Sequence, residues 1–207
     1  MSPEAQYRTL AEVEIFANIA TGHFVHSLHS IVAEGESGRR VDNGTQVEIR
    51  TDSIAFPGFS FRGYAQLEFS SNERVLVQWV FPSLPQTTNY QFIVKYRNLG
   101  NSRRLVGSVS QAGTVINSRI TFIREGDCMH PCYAVFENAA TPQSSEPANF
   151  LLNNQDPVII TITLSSTNIL LDAIIALPEE FYNPPNSSII DNGRFIQECN
   201  ISDGELR

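Results

Sequence analysis

Val158-Ile159-Ile160-Thr161-Ile162-Thr163-Leu164 decides the class of fold, because Ile160, Ile162 and Leu164 alternate with Thr161 and Thr163. A period of two places the apolar side chains on one face and the hydroxyls on the other, which is the pattern of a half-exposed antiparallel strand. Short runs of the same kind, rich in β-branched and aromatic residues, recur on both sides of it. They predict strands at Thr45 to Arg50, Phe59 to Phe69, Arg74 to Phe81, Tyr90 to Tyr96, Arg104 to Ser110, Arg119 to Ile123 and Asn168 to Leu177. Helical periodicity is scarce. Asp42-Asn43-Gly44, Phe56-Pro57-Gly58, Asn98-Leu99-Gly100-Asn101 and Gln111-Ala112-Gly113 punctuate the runs with residues that tolerate positive φ or fix it. Many short strands at such spacing predict an all-β fold, an antiparallel β-sandwich of the jelly-roll kind.

The core of that sandwich is expected from Val75, Val77, Trp79, Phe92, Val94, Ile120, Phe122, Ile160 and Ile162. With 207 residues and 42% hydrophobic side chains the chain can bury enough apolar area to fold without an obligatory disulfide. Glu137 to Asn149 is polar and carries two prolines, which reads as a long exposed loop. After Pro178, with Pro184-Pro185 ahead, the chain is expected to leave the sandwich and run along its outside.

Charge and composition exclude several functions. Fourteen basic against 22 acidic side chains give a net charge of −8, which disfavours a nucleic-acid partner. The longest apolar candidate, Ile169 to Leu177, is short for a membrane span and is interrupted by Asp172. Met1 to Gln6 lack the basic start and apolar core of a secretory signal. There is no Gly-x-Ser-x-Gly elbow, glycine-rich phosphate loop or His-Glu-x-x-His, so no enzyme is expected. Glu179-Glu180 follows a strand end and reads as a solvated turn. Phe56, Phe59, Phe61 and Tyr64 are candidates for a sugar-stacking platform, although their alternation sends half of them to the core.

His23, His26 and His29 recur every third residue, a spacing that puts neighbours on opposite faces of a strand and argues against a shared metal. Cys128, His130 and Cys132 are zinc-type donors with no second ligand pair downstream, leaving a local disulfide between Cys128 and Cys132 or two unpaired thiols. Cys199 stands alone. In an extracellular chain an odd cysteine suggests a partner outside the domain, and in a cytosolic one three inert thiols. Asn43, Asn186 and Asn200 each open an Asn-x-Ser/Thr sequon in a loop or tail, and together with the odd cysteine they lean towards a secreted glycoprotein.

Three segments occur in an order that resembles a known family: Phe61-Arg62-Gly63-Tyr64-Ala65-Gln66, then Tyr90 to Asn98, then Leu170 to Tyr182. They are similar to domain IV of laminin alpha-chain short arms, in particular domain IVb of the alpha-three/five class, with a more distant similarity to domain IV of laminin beta chains. The match covers Phe59 to Asn98 and Asn168 to Cys199, and Cys128/Cys132 departs from the family pattern. The resemblance implies a jelly-roll sandwich similar to carbohydrate-binding modules, at residues 1–198, followed at residues 199–207 by a resumed EGF-like repeat to which Cys199 would belong. It implies a non-catalytic, structural or adhesive module, secreted into the extracellular matrix of basement membranes. Its partners would be laminin beta and gamma chains through the parent chain, flanking EGF-like repeats, and matrix or cell-surface proteins. A carbohydrate-binding module of a secreted protein is the alternative. Jelly rolls of that kind often hold a structural calcium, for which Glu12 and Glu14 with Asp172 are the candidate oxygen ligands.

Overall fold

The computed structural model describes residues 23–24, 31–42, 48–51, 55–56, 63–66, 74–127, 132–140, 146–165, 168–181 and 197–198. Among these there is no α-helix. The strands in chain order are β1 (His23–Phe24), β2 (Ile31–Glu34), β3 (Arg39–Arg40), β4 (Glu48–Arg50), β5 (Tyr64–Gln66), β6 (Val75–Phe81), β7 (Thr88–Asn98), β8 (Arg103–Gln111), β9 (Thr114–Phe122), β10 (Cys132–Asn138), β11 (Phe150–Leu152), β12 (Val158–Leu164), β13 (Ile169–Pro178) and β14 (Gln197–Glu198). Single 3-10 turns follow β2 and β13.

β1 pairs with β14, and the other strands form one antiparallel ladder in the order β3-β6-β12-β8-β9-β10-β7-β13-β5-β4, with β11 added to β7 and β2 to β13. The ladder folds over at β10. Its first half, Cys132 to Val135, pairs with β7, while Phe136 to Asn138 pair with β9. A strand that changes sheets in this way turns one curled ladder into two facing layers, the jelly-roll sandwich expected from the sequence.

A second crossing closes the opposite side, where β2 lies on β13 in one layer and β3 lies on β6 in the other. The link is the turn Gly35–Ser37 followed by Gly38, and it is pressed against both layers. A Cβ on Gly35 would lie 2.1 Å from the Leu171 carbonyl oxygen, and one on Gly38 would lie 2.7 Å from the Trp79 indole. Trp79 Nε1 donates a 2.9 Å hydrogen bond to the Gly35 carbonyl, so the one tryptophan ties this corner from inside.

Between the layers all nine residues expected in the core are fully buried. Aromatic edges interlock across the gap, with Phe81 5.9 Å from Phe92 and Tyr96 4.8 Å from Phe122 in a T-shaped contact. β12 alternates buried and part-exposed residues throughout, as Val158 to Leu164 require.

Of the predicted strands Thr45 to Arg50 and Phe59 to Phe69, the described parts contain β4 and β5, whereas β1, β2, β3, β10, β11 and β14 were not expected. One expectation needs correction. The loop does not begin at Glu137: that residue and Asn138 end β10, Glu137 is only 5% exposed, and Ala148 donates to the Phe136 carbonyl. All ten residues of β13 are buried, so this strand is covered on both faces.

The β8–β9 hairpin pairs Gln111 with Thr114 around Ala112 and Gly113, whose φ angles are 50° and 79°. A two-residue loop with both φ positive is the type I′ turn, which favours Asn-Gly. Alanine pays for its Cβ there, so Ala112→Asn is expected to stabilise the domain by on the order of 1 kcal/mol, read as a rise of about 2–4 °C in a thermal melt.

Candidate functional site

Asp172 owes its position to an irregularity in register. β13 pairs Leu171 with Tyr96 and Ala173 with Lys95, so Asp172 is an extra residue opposite no partner, a β-bulge. The bulge resets the alternation: Leu171 shares the inner face with Ile174 and Ala176, and Ala173, Ile175 and Leu177 turn to the other side. Period-two counting through Asp172 therefore assigns the faces wrongly.

Lys95 Nζ sits 2.7 Å from Asp172 Oδ2, and the two side chains are 7% and 0% exposed. Tyr133 stands directly across from Lys95 in the β10–β7 ladder. Around them lies a second apolar cluster, of Val32, Ile93, Tyr133, Ala173, Ile175 and Leu177. Burial, and next the charge of Asp172, push the Tyr133 phenol above its ordinary range. Tyr96 is raised by burial as well, against a lowering hydrogen bond to the Ile123 carbonyl. A charge so deep in an apolar layer is tolerated only with its counter-charge beside it. The arrangement fixes a register; it presents no solvent-accessible acid, base or nucleophile.

At the end of the sandwich where β7 begins and β13 ends, Glu179 accepts from Asn89 Nδ2 at 2.8 Å and from Asn149 Nδ2. Asn149 in turn accepts a 2.7 Å bond from Gln91 Nε2, and Glu180 accepts from Gln86 Nε2 at 3.0 Å. Glu179-Glu180 is thus a braced turn rather than a simply solvated one. On the other layer Glu137 accepts from Arg104 Nε at 2.8 Å and from Thr121 Oγ1 at 2.7 Å.

The other sequence candidates separate as follows. Cys132 is fully buried and disulfide-bonded. Glu12, Glu14, Asn43, Phe59, Phe61, Cys128, His130, Asn186, Cys199 and Asn200 lie outside the described residues, as do His26 and His29. Phe56 and Tyr64 pack against each other at 5.3 Å beneath Leu170, both buried, so neither is a sugar platform. Lys95 and Tyr133 were missed. The signal for Lys95 was present, since Tyr90 to Tyr96 carries a lone cation in an apolar run just as Leu170 to Leu177 carries a lone anion.

The chain is similar to the laminin subunit alpha of Drosophila melanogaster, with 27% identity over 165 residues, and it spans 78% of this chain but only 4% of that protein. This agrees with the laminin alpha resemblance of its motifs. No protein-family model matches the chain. Similar solved structures include the CBM35 of Paenibacillus barcinonensis, with 15% identity, TM-score 0.48, and coverage of 72% of this chain and 98% of that one. A GH26-CBM35 β-(1,4)-mannanase of Podospora anserina has 20% identity, TM-score 0.49, and coverage of 76% and 29%.

Removing one member of the buried pair strands the other. Asp172→Leu and Lys95→Met are each expected to cost about 3–5 kcal/mol, and the two together clearly less than the sum. Urea unfolding of the four proteins measures this, and additive losses would show that the two charges do not act as a pair.

Proposed function

We propose that the chain is a non-catalytic module of an extracellular matrix protein, a domain IV of a laminin alpha-chain short arm with a structural and adhesive role in basement membrane. The observation that carries this is the similarity to a laminin alpha subunit over most of the chain, joined to an antiparallel sandwich of the expected kind. In this reading the parent chain joins laminin beta and gamma chains, EGF-like repeats flank the module, and Cys199 belongs to the repeat that resumes after it.

The interior is consistent with a load-bearing spacer. Two of the four candidates for a sugar-stacking platform, Phe56 and Tyr64, are buried, whereas sugar binding by stacking needs an exposed ring. The Lys95 ammonium supplies at Asp172 the positive charge that a structural calcium would otherwise bring.

Sequencing the transcript on both sides of the chain tests the proposal. Cysteine-dense EGF-like repeats are expected on either flank. A catalytic domain or a cysteine-free linker would overturn the laminin reading and make the domain a carbohydrate-binding appendage.

A further inference from the structure

β8 and β12 run side by side from the pair Gln111 and Val158 to the pair Gly107 and Ile162, and there their pairing stops. Neither strand ends at that point. β8 continues to Arg103, held by β9 through the pair Arg103 and Phe122, and β12 continues to Leu164, held by β6 through the pair Leu164 and Val75. Each strand follows its other neighbour, so the sheet splits into a wedge. The opening is a concavity of about 300 Å³, lined by Arg103 to Val106 on one wall and by Thr163, Ser165 and Arg74 on the other.

Three arginines thus line one opening in a chain whose net charge is −8. Arg104 is anchored to Glu137, whose charge is thereby met. Arg74 and Arg103 are exposed and make no ion pair or hydrogen bond among the described residues. Around them are the Thr163 and Ser165 hydroxyls and the apolar sides of Leu105 and Val106. Planar guanidinium forks match the oxygens of an oxyanion two at a time, and neighbouring hydroxyls match those of a sugar. The volume is at the small end of ligand sites, enough for one or two pyranose rings.

We propose that this wedge binds a sulfated glycosaminoglycan segment, recognised by charge and hydroxyl contacts without ring stacking. Sulfates carry the negative charge that the two exposed arginines, Arg74 and Arg103, lack, and the polymer's sugar hydroxyls meet Thr163 and Ser165. The wedge chemistry is independent of the relation to laminins. Binding held mainly by charge weakens steeply with salt.

Heparin chromatography at 50 mM NaCl and pH 7.4, backed by titration with a heparin oligosaccharide, tests the proposal. The full chain is expected to be retained and to elute in a salt gradient, while Arg74→Gln/Arg103→Gln, two exposed positions with little bearing on the melt, should flow through and bind at least tenfold more weakly. Arg39→Gln, an exposed arginine outside the wedge, should elute with the parent. Retention that survives the double substitution, an equal loss in Arg39→Gln, or a parent chain that flows through would overturn the assignment. So would competition by polyglutamate as effective as by heparin, which would assign the wedge to acidic peptides.

Discussion

A negative charge in the middle of a strand buried on both faces governs one whole layer of this sandwich. Asp172 cannot be hydrated where it sits, so the neighbouring strand must bring a cation to it, and Lys95 is the residue that arrives. The pair is satisfied in one register only. A slip of one residue between β7 and β13 would turn Lys95 to the inner face and leave both charges unmet. Because β10 and β11 pair with β7, and β2 and β5 with β13, the register of the entire layer follows from this contact.

The facing layer obeys a simpler rule. β6 and β12 alternate between a dry inner and a wet outer face, so ordinary patterning holds them without any internal charge. The two layers are joined where the backbone itself crosses, at β10 and at Gly35 to Gly38, and the second crossing leaves no room for a Cβ at either glycine. Trp79 spans from one layer to the turn of the other. Closure therefore rests on close approach of backbone to side chain, and the hydrophobic core fills what that closure defines.

Much of this was legible in the sequence because it is local. Val158 to Leu164 announces a strand in its own alternation, and the apolar residues of Arg74 to Phe81 and Tyr90 to Tyr96 announce the core. What escaped is non-local. Cys132 to Asn138 contains Glu137, which looks like the start of a polar loop until Arg104 and Thr121, distant in the chain, are found to hold its carboxylate. Asp172 was recognised as out of place; its ion-pair partner Lys95 is the lone cation of an apolar run on the adjoining strand, while the other calcium candidates, Glu12 and Glu14, lie outside the described residues. The bulge that brings Lys95 and Asp172 together has no signature in the residue pattern. The wedge is hidden for a similar reason: it arises where two strands stop pairing, and pairing limits are not written in either strand alone.

The interior of the domain commits polar groups to register and closure, and Arg74 and Arg103 lie exposed where the sheet opens. The central claim is that a side-chain ion pair, not a metal ion, meets the buried charge of Asp172. Thermal melting of the domain in millimolar calcium and in excess chelator tests it most directly. Superimposable melts are the predicted result; a clear upward shift in calcium, absent in Asp172→Asn, would contradict it.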